Sequence, residues 1–412
     1  MFNKEHAQDL FSLGALYPSD FLALNQQPRC QPVDLKMVMD VTTGLVRLEK
    51  TTPTSALYGK YWYRSSINPA MKHELNDIVQ SILNKCQPKK GDMWLDIACN
   101  DGTLLSYVPQ DWLKIGIDPA DDSFLQESRM HANVVVQDFF SQQALQKHNI
   151  NKKARVVTCI AMFYDLENPD VFLDDILNVL TDDGMFVCQL SYTPLMLEQL
   201  AFDNICHEHI FYYTLDTLYK LFEQHNLTII DVELNTVNGG SIRVYAVKSN
   251  SNFKSNGSQM QQDVGLFRVK SLLQYEHAQQ YNTPQVWETF FQNLEILKAK
   301  TYNFIKTQRS QGKTVWAYGA STKGNTLLQY FGLDNTLIDG IAERSEYKYG
   351  LRTVGTNIPI YSEQEMRQQN PDYLLILPWH FLDVFIDREK TFLENGGKFI
   401  VPCPNFTIIG KG

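Results

Sequence analysis

The chain has 412 residues, 44% hydrophobic and 20% charged, with a formal net charge of −9 at pH 7. At roughly 150 residues per domain, that length predicts two or three domains with enough apolar material for a sizeable core. The acidic balance excludes nucleic acid as a partner, because such binding is driven by Lys and Arg neutralising phosphates; one small diphosphate in a local pocket remains compatible. Seven cysteines, Cys30, Cys86, Cys99, Cys159, Cys188, Cys206 and Cys403, are scattered without a C-x-x-C pair. They form neither a disulfide framework nor an intact zinc module, and a reducing cytoplasm is expected. The N-terminal MFNKEHAQDLFSLG is too polar for a signal peptide, and no apolar run approaches the ~20 residues of a spanning helix, so no membrane association is expected.

Residues 1–55 are irregular, with short apolar patches such as MVMDVTTGLVRLE that read as strands. Helical spacing of apolar residues follows over Met71–Lys85. MWLDIA, KIGIDP, NVVVQDF and ARVVTCIAMF are then short β-rich runs separated by helical stretches, which predicts a parallel sheet with helices on its faces. GMFVCQLSY and LTIIDVELNTVNGGSIRVYAVK continue that sheet, the last two strands as an antiparallel pair. The polar stretch Asn250–Gln262 reads as a loop or boundary, followed by a long helical region. A second strand–loop–helix series opens at KTVWAYGASTKGNTLLQYF. The expected division is 1–66, 67–250 and 251–412: a small N-terminal domain and two α/β domains.

The loop after MWLDIA lacks the G-x-G-x-x-G of a dinucleotide fold. It offers Asp96, Ala98, Asn100, Asp101 and Gly102, where Asn tolerates the left-handed backbone that Gly would adopt and Ala does so less easily. Asp118 ends the next strand, placed to accept ribose hydroxyls. Asp138 ends the third, placed to meet an adenine amino group, with Phe139 to cover the ring. With no Lys or Arg in the first loop, S-adenosylmethionine, a sulfonium without phosphate, fits better than NAD. The bland alternative is a doubly wound domain with solvated strand-end acids.

Together, LDIACNDGTLL, IAMFYDLENP, QLSYTPLMLEQLAFDNICHEHIFYYTL, NGGSIRVYAV, WAYGASTKGNTLLQYFGL and LPWHF resemble the sugar C-methyltransferases acting on nucleotide-linked 4-keto-6-deoxyhexoses. The resemblance runs from about Leu16 to Asn405. It implies a zinc-binding N-terminal domain, a class I (Rossmann-like) methyltransferase domain binding S-adenosylmethionine, and a C-terminal Rossmann-like α/β domain. The nucleotide sugar would lie between the last two, with methylation beside the ketone, usually at C3. The family's zinc cysteines are missing, since Asp40 and Thr43 stand where the second pair would be. Zinc wants a closed set of four Cys or His ligands, so no zinc is expected and the N-terminal domain reads as a remnant packed on the catalytic core.

In the second α/β domain, Ser321, Thr322, Lys323 and Asn325 sit in a Gly-rich loop and first helical turn. Backbone N–H groups at a helix start beside a Lys form an anion site, here for the diphosphate of the sugar nucleotide; the bland reading is a tight turn with an N-cap. Arg352, Trp379 and His380 lie at later strand ends, to hold the nucleotide or simply to pack.

DNICHEHIFYY lacks metal-site spacing. Extended, it would put His207 and His209 on one face; in a helical turn all three polar side chains would fan apart. Neutral imidazole suits removal of a proton beside a ketone. The resemblance assigns His209 as the base and Glu208 as the neighbour that orients it or raises its basicity, with His207 beside them. Tyr63 would donate to the ketone oxygen, and Asn238 and Arg243 would contact the sugar. The rival readings are an N- or O-methyltransferase of a nucleotide sugar and a non-catalytic sugar-nucleotide-binding protein. Oligomeric state is not legible.

Overall fold

The structure, a computed structural model, describes residues 2–53, 57, 64–253 and 259–410. The β-rich runs of the middle of the chain form a seven-stranded sheet in the order β11-β12-β9-β8-β5-β6-β7. Its strands are β5 (Met93–Ile97), β6 (Leu113–Ile117), β7 (Val134–Val136), β8 (Ala154–Ile160), β9 (Leu180–Ser191), β11 (Leu227–Asn235) and β12 (Ser241–Lys248). β5 to β9 pair in parallel, and β12 runs antiparallel to both β9 and β11, the antiparallel pair expected of the last two strands. β5 is buried on both faces, hence its unbroken apolar character. The helix Pro69–Lys85 starts where Asn68 accepts the Ala70 N–H and Pro takes the first position. Its Met71, Leu75, Ile78, Val79 and Ile82 recur at three- and four-residue spacing and pack with Trp94, Trp112 and Tyr245.

The second sheet follows the order β16-β14-β13-β17-β18-β19: β13 (Val315–Tyr318), β14 (Ile341–Glu343), β16 (Ile360–Ser362), β17 (Tyr373–Ile376), β18 (Lys398–Val401) and the antiparallel β19 (Thr407–Ile409). Counted within the domain this is 3-2-1-4-5-6, the doubly wound order with its crevice at the strand ends between β13 and β17. Gly319, φ +86°, turns the chain out of β13; a Cβ there would lie 2.7 Å from the Pro378 ring. The long helix Pro284–Ser310 covers this half, and the preceding helix Gln259–Gln279 begins inside the stretch expected as a loop.

The N-terminal residues do not form a self-contained third domain. β1 (Ala7–Leu16), β3 (Val33–Asp40) and β4 (Val46–Leu48) make an antiparallel sheet whose fourth strand, β10 (Phe211–Tyr212), comes from the middle of the chain. β2 (Phe21–Leu22) pairs with β15 (Arg352–Thr353) of the C-terminal half. Phe11 stacks on Phe291 at 4.7 Å, and one apolar core runs from Phe11 and Met37 through Trp287 to Phe331. Where the resemblance would place a zinc knuckle, the Asp40 carboxylate closes the turn itself. Oδ1 accepts the Thr42 N–H and hydroxyl, Oδ2 accepts the Asn3 N–H, and Thr43 Oγ1 accepts the Leu45 N–H. Burial pushes Asp40 up, but the donors of Thr42 and Asn3 hold it below the usual carboxylate range.

Candidate functional site

A cavity of about 560 Å³ opens at the carboxyl ends of β5, β6, β7 and β8, within the size of ordinary small-molecule sites. β8 and β5 are neighbours whose outgoing chains diverge, which leaves a crevice at that switch point. The loop after β5 holds Ala98 at φ +57° and Asn100 at φ +52°, with Gly102 at φ +75°. Ala98 thus takes a left-handed backbone that costs a residue with a Cβ ~1–2 kcal/mol. Gly102 is required on a second count, since a Cβ would lie 2.7 Å from Ser128 Cα.

Asp96, Ala98, Asn100, Asp118 and Phe139 line the cavity as expected. Asp118 accepts the N–H groups of Asn100 and Ala120 at 2.9 and 2.8 Å; a carboxylate has about four acceptor sites, so capacity remains for ligand hydroxyls. Asp96 accepts the Thr158 hydroxyl at 2.6 Å, and burial pushes it up to about 7. Two expectations change. Asp101 is turned away from the cavity: Oδ1 accepts the Thr103 N–H and hydroxyl, and Oδ2 accepts the Ser66 N–H. Asp138 does not line the cavity either, its carboxylate accepting the N–H of Phe139.

The sequence reading missed the far wall: Met162, Asp165, Glu167 and Phe172 after β8, with Met71 and Leu75 from the first helix. The strand-end rule applied to β5, β6 and β7 would have found Asp165 had it been extended to β8. Among the described residues the lining carries four carboxylates, Asp96, Asp118, Asp165 and Glu167, and no Lys, Arg or His. Such a wall suits a cationic ligand and repels a diphosphate, so these residues fit S-adenosylmethionine.

The DNICHEHIFYY segment is a tight turn, and its polar side chains fan apart. His207 points back to the N-terminal sheet, where Nε2 meets the Val33 carbonyl at 3.2 Å and burial lowers it to about 4. It is a structural tie rather than a catalytic group. His209 Nδ1 meets the Asn204 carbonyl at 2.8 Å. A carbonyl can only accept, so Nδ1 carries the hydrogen and Nε2 presents its lone pair. The Tyr164 ring lies 4.2 Å from the imidazole. Burial first, then the Lys323 cation, lower His209 to about 3. The expected orienting role of Glu208 does not hold, because Asn204 orients the ring. Glu208 acts instead on the charge of Asp165, and each has an oxygen, Oε2 and Oδ1, sealed from solvent without a hydrogen-bond partner.

Lys323 comes to this segment from the other half of the molecule. Ser321 caps the helix Thr322–Phe331 by accepting the Gly324 N–H at 3.0 Å. Phe331 of that helix stacks on Phe202 at 5.0 Å, pressing the helix against the turn Phe202–Asn204 that holds His209. Lys323, lowered by burial, acts electrostatically on Asp203, Cys206, His209 and His380. Trp379 donates from Nε1 to Asp203 at 3.2 Å, and burial followed by Lys323 lowers His380 to about 3. Thr322 opens the helix beside Lys323. Asn238 sits in the turn Val237–Gly239, and a Cβ added at Gly239 would lie 3.9 Å from Asn204 Nδ2.

Three expected substrate contacts are committed elsewhere. All five N–H donors of the buried Arg243 are engaged, by Gln189, Glu233, Tyr245, Glu74 and Asp77. Asn325 donates to Ser19 Oγ and the Asp20 carbonyl, tying its helix to the N-terminal segment. Arg352 donates to Asn357 and to the Gln26 carbonyl. In the loop that carries Ser321, the Ala320 N–H is taken by Glu343 at 2.8 Å. Tyr63 lies outside the described residues. Among those residues no group of three or more His, Cys, Asp or Glu is placed to hold a metal ion, and no helix is long and apolar enough to cross a membrane.

Residues 68–232 match a family described as a methyltransferase domain, and residues 236–404 match the C-methyltransferase C-terminal domain. C-methyltransferase NovU of Streptomyces niveus is 28% identical over 366 residues, covering 89% of this chain and 85% of its own. Among solved structures, an S-adenosylmethionine-dependent methyltransferase from Clostridium acetobutylicum shares 14% identity at a TM-score of 0.34, over 44% of this chain and 93% of its own. Magnesium protoporphyrin IX methyltransferase from Synechocystis shares 12% at 0.33, over 47% and 88%. The two family matches run almost without a gap from residue 68 to residue 404, and with the C-methyltransferase relative they show an S-adenosylmethionine-dependent C-methyltransferase.

Proposed function

We propose that this enzyme methylates the carbon beside the ketone, at C3, of a nucleotide-linked 4-keto-6-deoxyhexose, in the making of a branched deoxysugar. The observation that carries this reading is the His209 tautomer: Nδ1–H engaged by the Asn204 carbonyl, Nε2 available, between the cofactor cavity and the C-terminal half. Nε2 takes the proton from the carbon, the C–H electron pair forms the enolate, and negative charge develops on the ketone oxygen. That carbon then attacks the methyl group, which S-adenosylmethionine supplies as an electrophile, and the pair of the broken S–CH3 bond stays on sulfur. Tyr63 is assigned to the ketone oxygen, Asn238 to the sugar, and Lys323, with Ser321 and Thr322, to the diphosphate.

The low basicity of His209 fits this arrangement. Burial and the Lys323 cation both disfavour imidazolium. A diphosphate arriving at Lys323 offsets the cation, so the base strengthens when the acceptor is in place. Deprotonation separate from methyl transfer makes the reaction visible without a methyl donor. With S-adenosylhomocysteine and acceptor in deuterated buffer, the enzyme is expected to incorporate deuterium at the carbon to be methylated. His209→Asn should keep both ligands but lose exchange and methylation by roughly 10²–10⁴. A product methylated on nitrogen or oxygen, with no exchange at carbon, would replace this reading by N- or O-methylation. Binding of both ligands without any turnover would mark a binding protein.

A further inference from the structure

The cofactor cavity and the His209 turn are joined by one pair of side chains that the reaction above does not use. Asp165 lines the cavity and ends the short turn Phe163–Asp165. That turn is clamped to the His209 segment on both sides: the Ile210 N–H donates to the Tyr164 carbonyl at 2.9 Å, and the Tyr164 ring packs on His209. Across this clamp Glu208 acts on Asp165 electrostatically, and Asp165 Oδ1 and Glu208 Oε2 are both sealed from solvent without a hydrogen-bond partner.

Two neighbouring carboxyls, each with one oxygen sealed from water, resist ionising together and titrate as a unit. The groups around them leave this unchanged. Cys159 on β8, Cys206, and Tyr212 on β10 face the pair, and burial pushes all three up, so they are neutral. Cys206 also bonds Glu208. Among the described residues a cation, Lys323, acts on Cys206 and His209. Burial raises both acids, and Asp165 is raised further by Glu208.

The transferable methyl sits on the sulfonium and has to face the acceptor, so the positive end of the cofactor lies towards the His209 side of the cavity, which is the Asp165 wall. We propose that Asp165 and Glu208 hold one proton between them in the free enzyme and release it to solvent when the sulfonium binds, forming a charge sensor that favours the methylated cofactor over its spent form. The release leaves a second negative charge against the new positive one. Once the methyl group is gone the sulfur is a neutral thioether, the pair takes a proton back from solvent, and the product is held less tightly. This rests on the cofactor and not on the acceptor or on His209 as base, so failure of the exchange experiment leaves it standing, and the reverse.

The test is calorimetric titration of the full chain near pH 7 in two buffers of different ionisation enthalpy, with S-adenosylmethionine and with S-adenosylhomocysteine. Asp96 and the other acids meet the same amino acid and nucleoside in both ligands, so the difference between them reports the sulfonium. The wild type is expected to release about one proton more with S-adenosylmethionine. Asp165→Asn should abolish that difference and weaken S-adenosylmethionine about tenfold, or one pK unit of interaction, while leaving S-adenosylhomocysteine unchanged. Glu208→Gln should also abolish the extra release, yet keep S-adenosylmethionine tight, because Asp165 is then ionised already. Equal proton release with both ligands in the wild type, or wild-type discrimination in Asp165→Asn, would overturn the proposal.

Discussion

The two α/β halves are built on the same plan and use it in opposite ways. In the first, residues at the strand ends face a cavity: Asp96, Asp118 and Asp165 line about 560 Å³ of space, with no basic residue among the described residues of the lining. In the second, the equivalent loop turns most of its polar groups onto the protein. Asn325 ties to Ser19 and Asp20, the Ala320 N–H to Glu343, and Arg352 to Asn357 and Gln26. From this half Lys323 acts on His209, and Trp379 donates to Asp203 in the same turn. One half is a container and the other is a wall that brings one cation to the container's edge. The same strand–loop–helix motif serves either purpose, and what decides is whether its donors are already satisfied inside the protein.

The sharpest way to break this comparison is to disturb a residue that each reading assigns differently. Arg243 belongs to the first half but reads here as structure. Arg243→Ala would leave Glu74 and Glu233 facing one another around a buried gap, and removing one partner of a buried ion pair costs roughly 3–5 kcal/mol. Denaturant unfolding should show that loss, with KM for the acceptor unchanged in the folded fraction. A large KM effect with stability intact would return Arg243 to the substrate site.

A second pair of variants separates container from wall. Asp118→Ala removes hydrogen bonds to ligand hydroxyls worth roughly 2–3 kcal/mol with a charged acceptor. It should weaken S-adenosylmethionine more than tenfold and leave the acceptor alone. Lys323→Ala should raise KM for the sugar nucleotide and leave cofactor affinity alone. If Lys323→Ala changed only cofactor binding, the two ligands would be exchanged between the halves.

The smallest expected effect concerns His225, which clamps the helix Leu215–Gln224 of the first half to Asp170 and Asp174, each at 2.8 Å. Burial lowers its imidazole, but the two carboxylates outweigh burial and leave it above the ordinary value. A raised value means stability that is fully present below ~6.5 and is lost as pH rises through the folded value. Because the carboxylates are 41% and 64% exposed, about 0.2–1 kcal/mol is at stake. The pH dependence of Tm should flatten on the alkaline side in His225→Gln; an unchanged profile removes the clamp.

The chain itself determined the periodic and local features. Alternating short β-rich runs and helical stretches specified two parallel sheets, and strand-end acids marked the cofactor side. The left-handed loop after β5 was legible from Asn100 and Gly102, because local backbone sterics set it. Tertiary structure alone decided which polar side chains meet. His207 and His209 are two residues apart, yet one reaches Val33 and the other Asn204, because a tight turn rather than a strand directs them. Arg243, Asn325 and Lys323 all carried the chemistry of a binding residue. Their partners lie 169 residues away at Glu74, 306 away at Ser19, and across the domain junction at His209. Hydrogen-bonding capacity is written in the residue type, but whether it is consumed inside the protein or left for a ligand depends on contacts between segments far apart in the chain.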